Sequence, residues 1–314
     1  MLSTKTYNQI KTWVYRNART LELCLWNYFF EKGNKDDVIS ALSYYQNEDG
    51  GFGNALEPDN WNPNSTPYTT LYAISILNDI EFTDLSHPIY KGILKYLQSE
   101  RDLMEYGWRF CVPTNDNFPH APWWNFNEEA NLTESIGVTT GLSIFVLRYA
   151  DKNSILYQKT NALVKNLMHN LMAGNNFGDM GIGGYVELLD ALRVLGFNEY
   201  DYASLQLRIN GLVKTSIEND ISKWQYYGVR PSNYIKGPQS IYYYENKDIV
   251  EKELNYLIET IPQNDVWGIP WTWFDNNSKY AKEFAISENW WKSIKAIEKM
   301  RFLNSFGYFT KQEL

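Results

Sequence analysis

Only two cysteines, Cys24 and Cys111, and three histidines occur in 314 residues. Two thiols are too few for a disulfide framework, and no Cys-x-x-Cys or His-x-x-x-His spacing offers a metal its usual ligands. Lys and Arg number 29 against 37 Asp and Glu, a formal charge of −8, and they do not cluster. That balance argues against nucleic acid or an anionic membrane as a partner, since both need gathered cations. No stretch approaches the ~20 consecutive apolar residues of a membrane span, and the N-terminus MLSTKTYNQIKTWVYRN lacks the apolar centre of a signal peptide. The expectation is a soluble, cytoplasmic protein. A phosphate loop, a nucleophile elbow and a dinucleotide fingerprint are also missing. The glycine run from Gly178 to Gly184 neither follows a strand nor carries the P-loop lysine, and it reads as a helix connector. No cofactor is expected.

Aromatics, by contrast, are plentiful. Twelve Trp and 24 Tyr help raise the aromatic share to 16%, more than an ordinary core needs, and such rings suit core, interface or ligand pocket alike. Alternating, strand-like runs are short and rare, whereas apolar residues recur at helical spacing from end to end. The spacing predicts a single all-α domain over 1–314, with helices near 5–31, 36–46, 67–79, 88–100, 135–150, 155–172, 182–196, 202–216, 248–261 and 288–304. Two irregular segments, 101–134 and 217–247, are long enough to form lids or pocket walls. Asp36 and Asp37 suit a helix N-terminus, and His87 before Pro88 marks another helix start.

The pattern also echoes itself. ISALSYYQNEDGGFG (39–53) is matched by ILKYLQSERDLMEYGW (93–108) and by ELNYLIETIPQNDVWG (253–268): an amphipathic helix, a polar turn, then glycine beside an aromatic. A second apolar helix follows each, with Thr69-Thr70 opening one and Thr139-Thr140 the next. A further copy over 167–195 keeps the glycines and loses the glutamine. Helix pairs of this kind bury their apolar faces only by stacking on neighbours. A stack closed into a ring would enclose a central cavity, with its connecting loops gathered at two rims.

The QNEDGGFG run, Gln46 to Gly53, with its echoes at Tyr106-Gly107-Trp108 and Val266-Trp267-Gly268, resembles the Q-x-x-D-G-G-aromatic repeat of terpenoid cyclases and protein prenyltransferase β-subunits. The resemblance implies an α/α toroid of helical hairpins around a cavity for an isoprenoid-like or other small hydrophobic ligand, the motif bracing helices rather than doing chemistry. That family's reactive motifs do not accompany it. No Asp-x-Asp-Asp run occurs, Asp36-Asp37 is followed by Val38, and Arg109 stands where a zinc-holding Asp-x-Cys would place its aspartate before Cys111. Cys111, Asp116 and His120 lie within ten residues, yet a buried thiol and a backbone-bonded imidazole account for them, and no metal is expected.

What remains is loop carboxylates beside indoles. Glu57 and Asp59 precede Trp61; His120, Trp123 and Trp124 precede Glu128, Glu129 and Glu134; Trp267, Trp271 and Trp273 precede Asp275. Desolvation beside rings raises carboxyl pKa values, which suits a general acid. Glu57, Asp59 and Asp275 are the expected acids, with Trp61, His120, Trp123, Trp124, Glu129, Trp267, Trp271 and Trp273 as ligand contacts. Three roles fit them. An acid could protonate an isoprenoid whose cation the indoles then stabilise. Paired carboxylates could flank a sugar, roughly 5–5.5 Å or 6.5–9.5 Å apart. The cavity could also bind a ligand without turnover, or serve as a scaffold. The competing reading makes Glu57 and Asp59 caps for turn amides and Asp275 an ordinary turn residue. In each Trp-Trp pair, 123–124 and 290–291, one ring is expected to face the core and the other to point away.

Overall fold

The computed structural model describes residues 1–309. Helices dominate it: α1 (Thr4–Asn17), α2 (Thr20–Phe30), α3 (Lys35–Ser43), α4 (Pro67–Asp79), α5 (Pro88–Gln98), α6 (Glu128–Tyr149), α7 (Ile155–Ala173), α8 (Gly178–Val194), α9 (Tyr202–Ser216), the single turn α10 (Pro231–Tyr234), α11 (Lys247–Glu259), the single turn α12 (Asn276–Lys279) and α13 (Ala281–Ser305). Among the described residues the one sheet is a pair of two-residue strands, β1 (Leu103–Met104) and β2 (Gly107–Trp108), with Leu103 opposite Trp108. The all-α expectation holds.

The chain divides into two compact units, one of Met1–Leu42 with the chain from Lys214 onward, the other of Ser43–Val213. In the second unit α6 packs against α8, α7 and α4. Small residues set that arrangement. A methyl group on Gly141 would sit 2.5 Å from Leu71, one on Gly137 2.4 Å from Met180, and one on Gly184 2.1 Å from the Thr140 hydroxyl. The glycine run at 178–184 is therefore not a connector. It forms the first turns of α8 and lets that helix press onto α6. Helix α6 is buried on nearly every side from Ser135 to Leu147, which is why it has almost no polar stripe. Among the described residues it is the one helix long and apolar enough to cross a membrane, and 78% of its apolar window is buried inside the fold.

In the first unit α1, α2 and α13 pack on one another, and the rings of Tyr7, Trp26, Phe30 and Phe309 meet at 4.7–6.1 Å. The two ends of the described chain touch there, Leu2 N donating to the Tyr308 carbonyl at 2.9 Å. The single helix expected over 5–31 is broken. Ala18 and Arg19 are extended, and Arg19 turns its guanidinium onto Glu22, with Nε at 2.9 Å and Nη2 at 2.6 Å from the two carboxylate oxygens. A bidentate pair of this geometry fixes the start of α2 with no proline or glycine to announce it.

Helix starts differ from expectation elsewhere for local reasons. Helix α6 begins at Glu128 rather than 135, because Asn127 Oδ1 accepts from Ala130 N at 3.0 Å and two glutamates occupy the first turn, where the helix dipole favours them. Helix α3 is capped by Asn34, whose Oδ1 accepts from Asp37 N at 2.9 Å; Asp36 and Asp37 fill its first turn and are not the cap. The His87 expectation holds, Nδ1 accepting from Ile89 N at 3.2 Å.

Candidate functional site

The QNEDGGFG turn spends its polar groups on structure. Gln46 Nε2 donates to the carbonyls of Gly50 (2.9 Å) and Ile89 (3.0 Å), tying the turn to the first residues of α5. Asp49 accepts from Gly51 N (3.0 Å) and Ser65 Oγ (2.6 Å) through Oδ1, and its Oδ2 pairs with Arg101 at 3.2 Å. Gly50 is left-handed, φ 93°, and a methyl group there would meet the Gly92 carbonyl oxygen at 2.0 Å. Only glycine fits that crossing.

Past Gly53 the chain takes two further left-handed steps without glycine, Asn54 at φ 57° and Ala55 at φ 56°. Each costs of order 1 kcal/mol or more. They carry the chain into Leu56-Glu57-Pro58-Asp59, where both carboxylate residues are almost wholly enclosed, at 2% and 1% exposure. A short antiparallel bridge ties this loop to the segment around His120. Trp61 N donates to the Pro119 carbonyl and Ala121 N to the Asp59 carbonyl, both at 2.9 Å. Asparagine amides stitch the same two stretches: Asn115 Oδ1 accepts from Asn60 Nδ2 (3.2 Å) and Asn62 Nδ2 (2.9 Å), and Asn115 Nδ2 donates to the Trp124 carbonyl at 3.1 Å. A buried amide without partners would cost about 1–3 kcal/mol, so three that satisfy one another hold the loop in one conformation.

The fold thus gathers Glu57, Asp59, Trp61, His120, Trp123 and Trp124 within one unit. His120 is buried, its Nδ1 facing the Phe118 carbonyl at 2.6 Å and its Nε2 facing Asn125 Oδ1 at 2.7 Å. The two indoles at 123 and 124 divide as expected. Trp124 is buried against Phe110 (4.6 Å, stacked) and Tyr68 (4.5 Å), while Trp123 is 37% exposed. Trp61 is half-buried, its Nε1 donating to the Pro58 carbonyl at 3.0 Å. Glu129 lies exposed in the first turn of α6; its neighbour Glu128 takes the partners there, Tyr106 at 2.7 Å and Arg109 at 3.2 Å.

The remaining expected residues belong to the other unit. Asp275 is exposed where α12 begins, next to the left-handed Phe274. Trp273 is fully buried against Tyr280 and Phe284, and Trp267 is buried with Nε1 donating to the Leu257 carbonyl at 3.0 Å. Trp271 is half-buried and meets Trp291 edge-on at 5.4 Å and Tyr227 at 6.2 Å. Two of the three indoles expected as ligand contacts in this stretch, Trp267 and Trp273, are thus buried.

Cys111, Asp116 and His120 each have other partners. The Cys111 thiol faces Asn131 Oδ1 at 3.6 Å, and Asp116 Oδ1 accepts from Phe126 N at 2.9 Å. Among the described residues no three His, Cys, Asp or Glu side chains are grouped to hold a metal.

Burial raises the pKa of two acids outside the expected set. Glu134 carries one such shift, and its Oε2 accepts from Asp179 N at 3.0 Å, at the start of α8. Glu253 on α11 carries the other, its carboxylate holding Ser232 through N (2.8 Å) and Oγ (2.6 Å). Glu253 was invisible in the sequence because its helix gives no sign of which residues cover it. The asparagines at 60, 62 and 115 did leave a signal, the dense DNWNPN run (59–64). Comparison with protein-family models, with characterised proteins and with solved structures finds no match to this chain.

Proposed function

We propose that this chain is a small-molecule enzyme of the cytoplasm that takes an isoprenoid-like ligand against its indole-bearing loops and acts on it by proton donation from the Glu57–Asp59 loop. One observation carries the reading: two carboxylate residues, two positions apart and almost wholly buried, stand on a loop entered through two strained non-glycine residues and bridged to the segment that carries His120, Trp123 and Trp124. Backbone strain and buried acid both cost stability, and proteins keep such costs where chemistry needs the geometry. A carboxylic acid there could donate to an alkene carbon, and indole faces could stabilise the cation that forms. The surrounding helical hairpins agree with an α/α toroid, which is part of the same proposal.

A carbohydrate reading has one observation of its own, the half-open ring of Trp123 beside the acid loop, which suits stacking on a sugar. One experiment separates the two. Thermal-shift titration with farnesol and with cellobiose identifies the ligand class by whichever raises Tm. Gas chromatography of farnesol incubations then looks for isomeric or hydrated products. Glu57→Gln and Asp59→Asn are expected to keep the ligand-induced shift and abolish product. Unchanged product with both variants, or no shift with either ligand, overturns the reading.

A further inference from the structure

The segment from Glu218 to Val229 closes on itself. Glu218 N donates to the Val229 carbonyl at 2.9 Å, and Trp224 Nε1 donates to the Glu218 carbonyl at 2.8 Å. Asp220 Oδ1 accepts from Ser222 N at 3.0 Å and starts the short 3-10 turn Ile221–Gln225. The Trp224 carbonyl accepts from Nη2 of Arg230, so this buried indole is tied to both ends of the loop. Compact loops whose ends meet, and which pack on their own side chains, hold one shape and are frequently functional.

The loop and Arg230 line a cavity of about 140 Å³, with Trp224, Tyr226, Tyr227 and the Glu218–Lys223 pair in its walls. Glu218 and Lys223 face each other at 3.5 Å, so their charges cancel. The Arg230 guanidinium lies over the rings of Trp224 (5.9 Å) and Tyr256 (5.4 Å) and has no ion pair among the described residues. One positive charge on the cavity wall is therefore left unmatched. The cations of α13 are placed otherwise. Lys292 over Trp13 (5.0 Å) and Lys295 over Trp291 (5.1 Å) are paired with Asp265 and Glu298, each at 2.8 Å, Lys299 lies over Trp267 at 5.2 Å, and none of the three lines this cavity. Tyr226 and Tyr227 are 64% and 68% exposed, and the Tyr227 ring meets Trp271 edge-on at 6.2 Å.

We propose that this loop binds a small aromatic carboxylate, its carboxylate on the guanidinium of Arg230 and its ring against Tyr226 and Tyr227. Arg230 spends one N–H on the Trp224 carbonyl, and the rest of its planar fork matches a carboxylate. The volume is below the ~300–1,000 Å³ of pockets that take drug-sized molecules, which suits a ligand of a single ring. Aromatic rings meet favourably edge-to-face or offset, and the walls offer three of them. A sugar acid of the same charge would bring several hydroxyls, whereas Glu218 and Lys223 are already spent on one another. Gly228 completes the lining, and a methyl group there would meet nothing within 4 Å. This site lies in the unit without Glu57 and Asp59 and stands independently of the acid-loop reading.

Calorimetric titration of the full chain at neutral pH with benzoate tests it, with benzyl alcohol and glucuronate as companions. Benzoate is expected to bind. Benzyl alcohol, without the charge, and glucuronate, without the aromatic ring, are each expected to bind at least ~10-fold more weakly. Arg230→Gln is expected to weaken benzoate by a similar factor. Gly228→Phe places a ring in the cavity and leaves Arg230 in place, and it is expected to abolish binding with the circular dichroism spectrum unchanged. Asp59→Asn is expected to leave binding as it was, which separates this result from the fate of the acid loop. Absence of benzoate binding at millimolar concentration overturns the proposal, and so does loss of binding in Asp59→Asn. Undiminished affinity in Gly228→Phe overturns the location, whether or not the Arg230 variant folds. Equal affinity for benzyl alcohol overturns the anionic class, and equal or tighter binding of glucuronate overturns the aromatic one.

Discussion

The backbone N–H of Trp108 donates to Oγ1 of Thr139 over 3.0 Å, and that of Phe52 donates to Oγ1 of Thr70 over 3.1 Å. In both places a glycine–aromatic turn is pinned to the following apolar helix by a buried threonine, Thr70 in the first turn of α4 and Thr139 in the middle of α6. This is the internal echo expressed as hydrogen bonds. It also shifts the register. The sequence sets Thr69-Thr70 against Thr139-Thr140, whereas the structure makes Thr70 the partner of Thr139, a one-residue slip that a repeated dipeptide cannot reveal.

Both threonines are fully buried, so the isosteric valine leaves a main-chain donor without its acceptor. Thr139→Val is expected to cost about 1–3 kcal/mol in urea denaturation. Thr70→Val is expected to cost at least as much, because the Thr70 hydroxyl also donates to the Thr66 carbonyl at 2.7 Å. Losses below about 0.5 kcal/mol in both, within the range of ordinary surface changes, would show that the pins are incidental.

Gly50→Ala tests the turn itself. The left-handed backbone at φ 93° and the 2.0 Å approach of a methyl carbon to the Gly92 carbonyl oxygen act together, and neither neighbour is a side chain that could swing aside. Destabilisation of about 3 kcal/mol or more is expected, enough to lower expression or Tm visibly. Gly211, where a methyl group meets nothing within 4 Å, is the control: Gly211→Ala inside α9 is expected to be neutral or stabilising by up to about 1 kcal/mol.

How far the sequence announced these features depended on whether the cause was local. Gly50, the His87-Pro88 helix start and the Trp123–Trp124 division follow from φ preference, proline chemistry and the facing of adjacent residues, all readable over a few positions. The break at Ala18 rests on Arg19 clamping Glu22, and a run of good helix formers hid it. The burial of Trp267 and Trp273, the enclosure of Glu253 and the company of Lys299 depend on segments far away in sequence. An indole bound for the core and one bound for a ligand look alike until those segments are placed.

The two cysteines provide a chemical check. Burial pushes both thiols up, Cys111 with Asp116 and Glu128 adding to the shift and Cys24 with Asp37 and Glu22. Little thiolate is present at pH 7.5 in the folded state, and the thiolate is the reactive form. Ellman titration is expected to detect buried Cys111 only on unfolding, and half-buried Cys24 in the native state more slowly than in denaturant. Prompt native reaction of Cys111 would contradict its burial.

Lys299 also predicts a pH dependence. In the unfolded chain its amine titrates near 10.5 and in the fold near 7, so between those values the unfolded state binds the extra proton. Stability then rises with pH across that window and carries the full penalty below about 7. The charged groups that act on it are Arg230, Lys295, Glu298 and Glu253. Replacing the amine with a neutral chain of similar length removes the titration and keeps the contact with Trp267. Lys299→Met is therefore expected to raise Tm by about 2–6 °C at pH 6, with the gap to the unsubstituted protein shrinking to well under half by pH 9.5. Packing differences between Met and Lys shift Tm equally at both pH values, so the narrowing of the gap is the quantity to read. A gap that stays constant from pH 6 to 9.5 would place the Lys299 amine back in the ordinary lysine range.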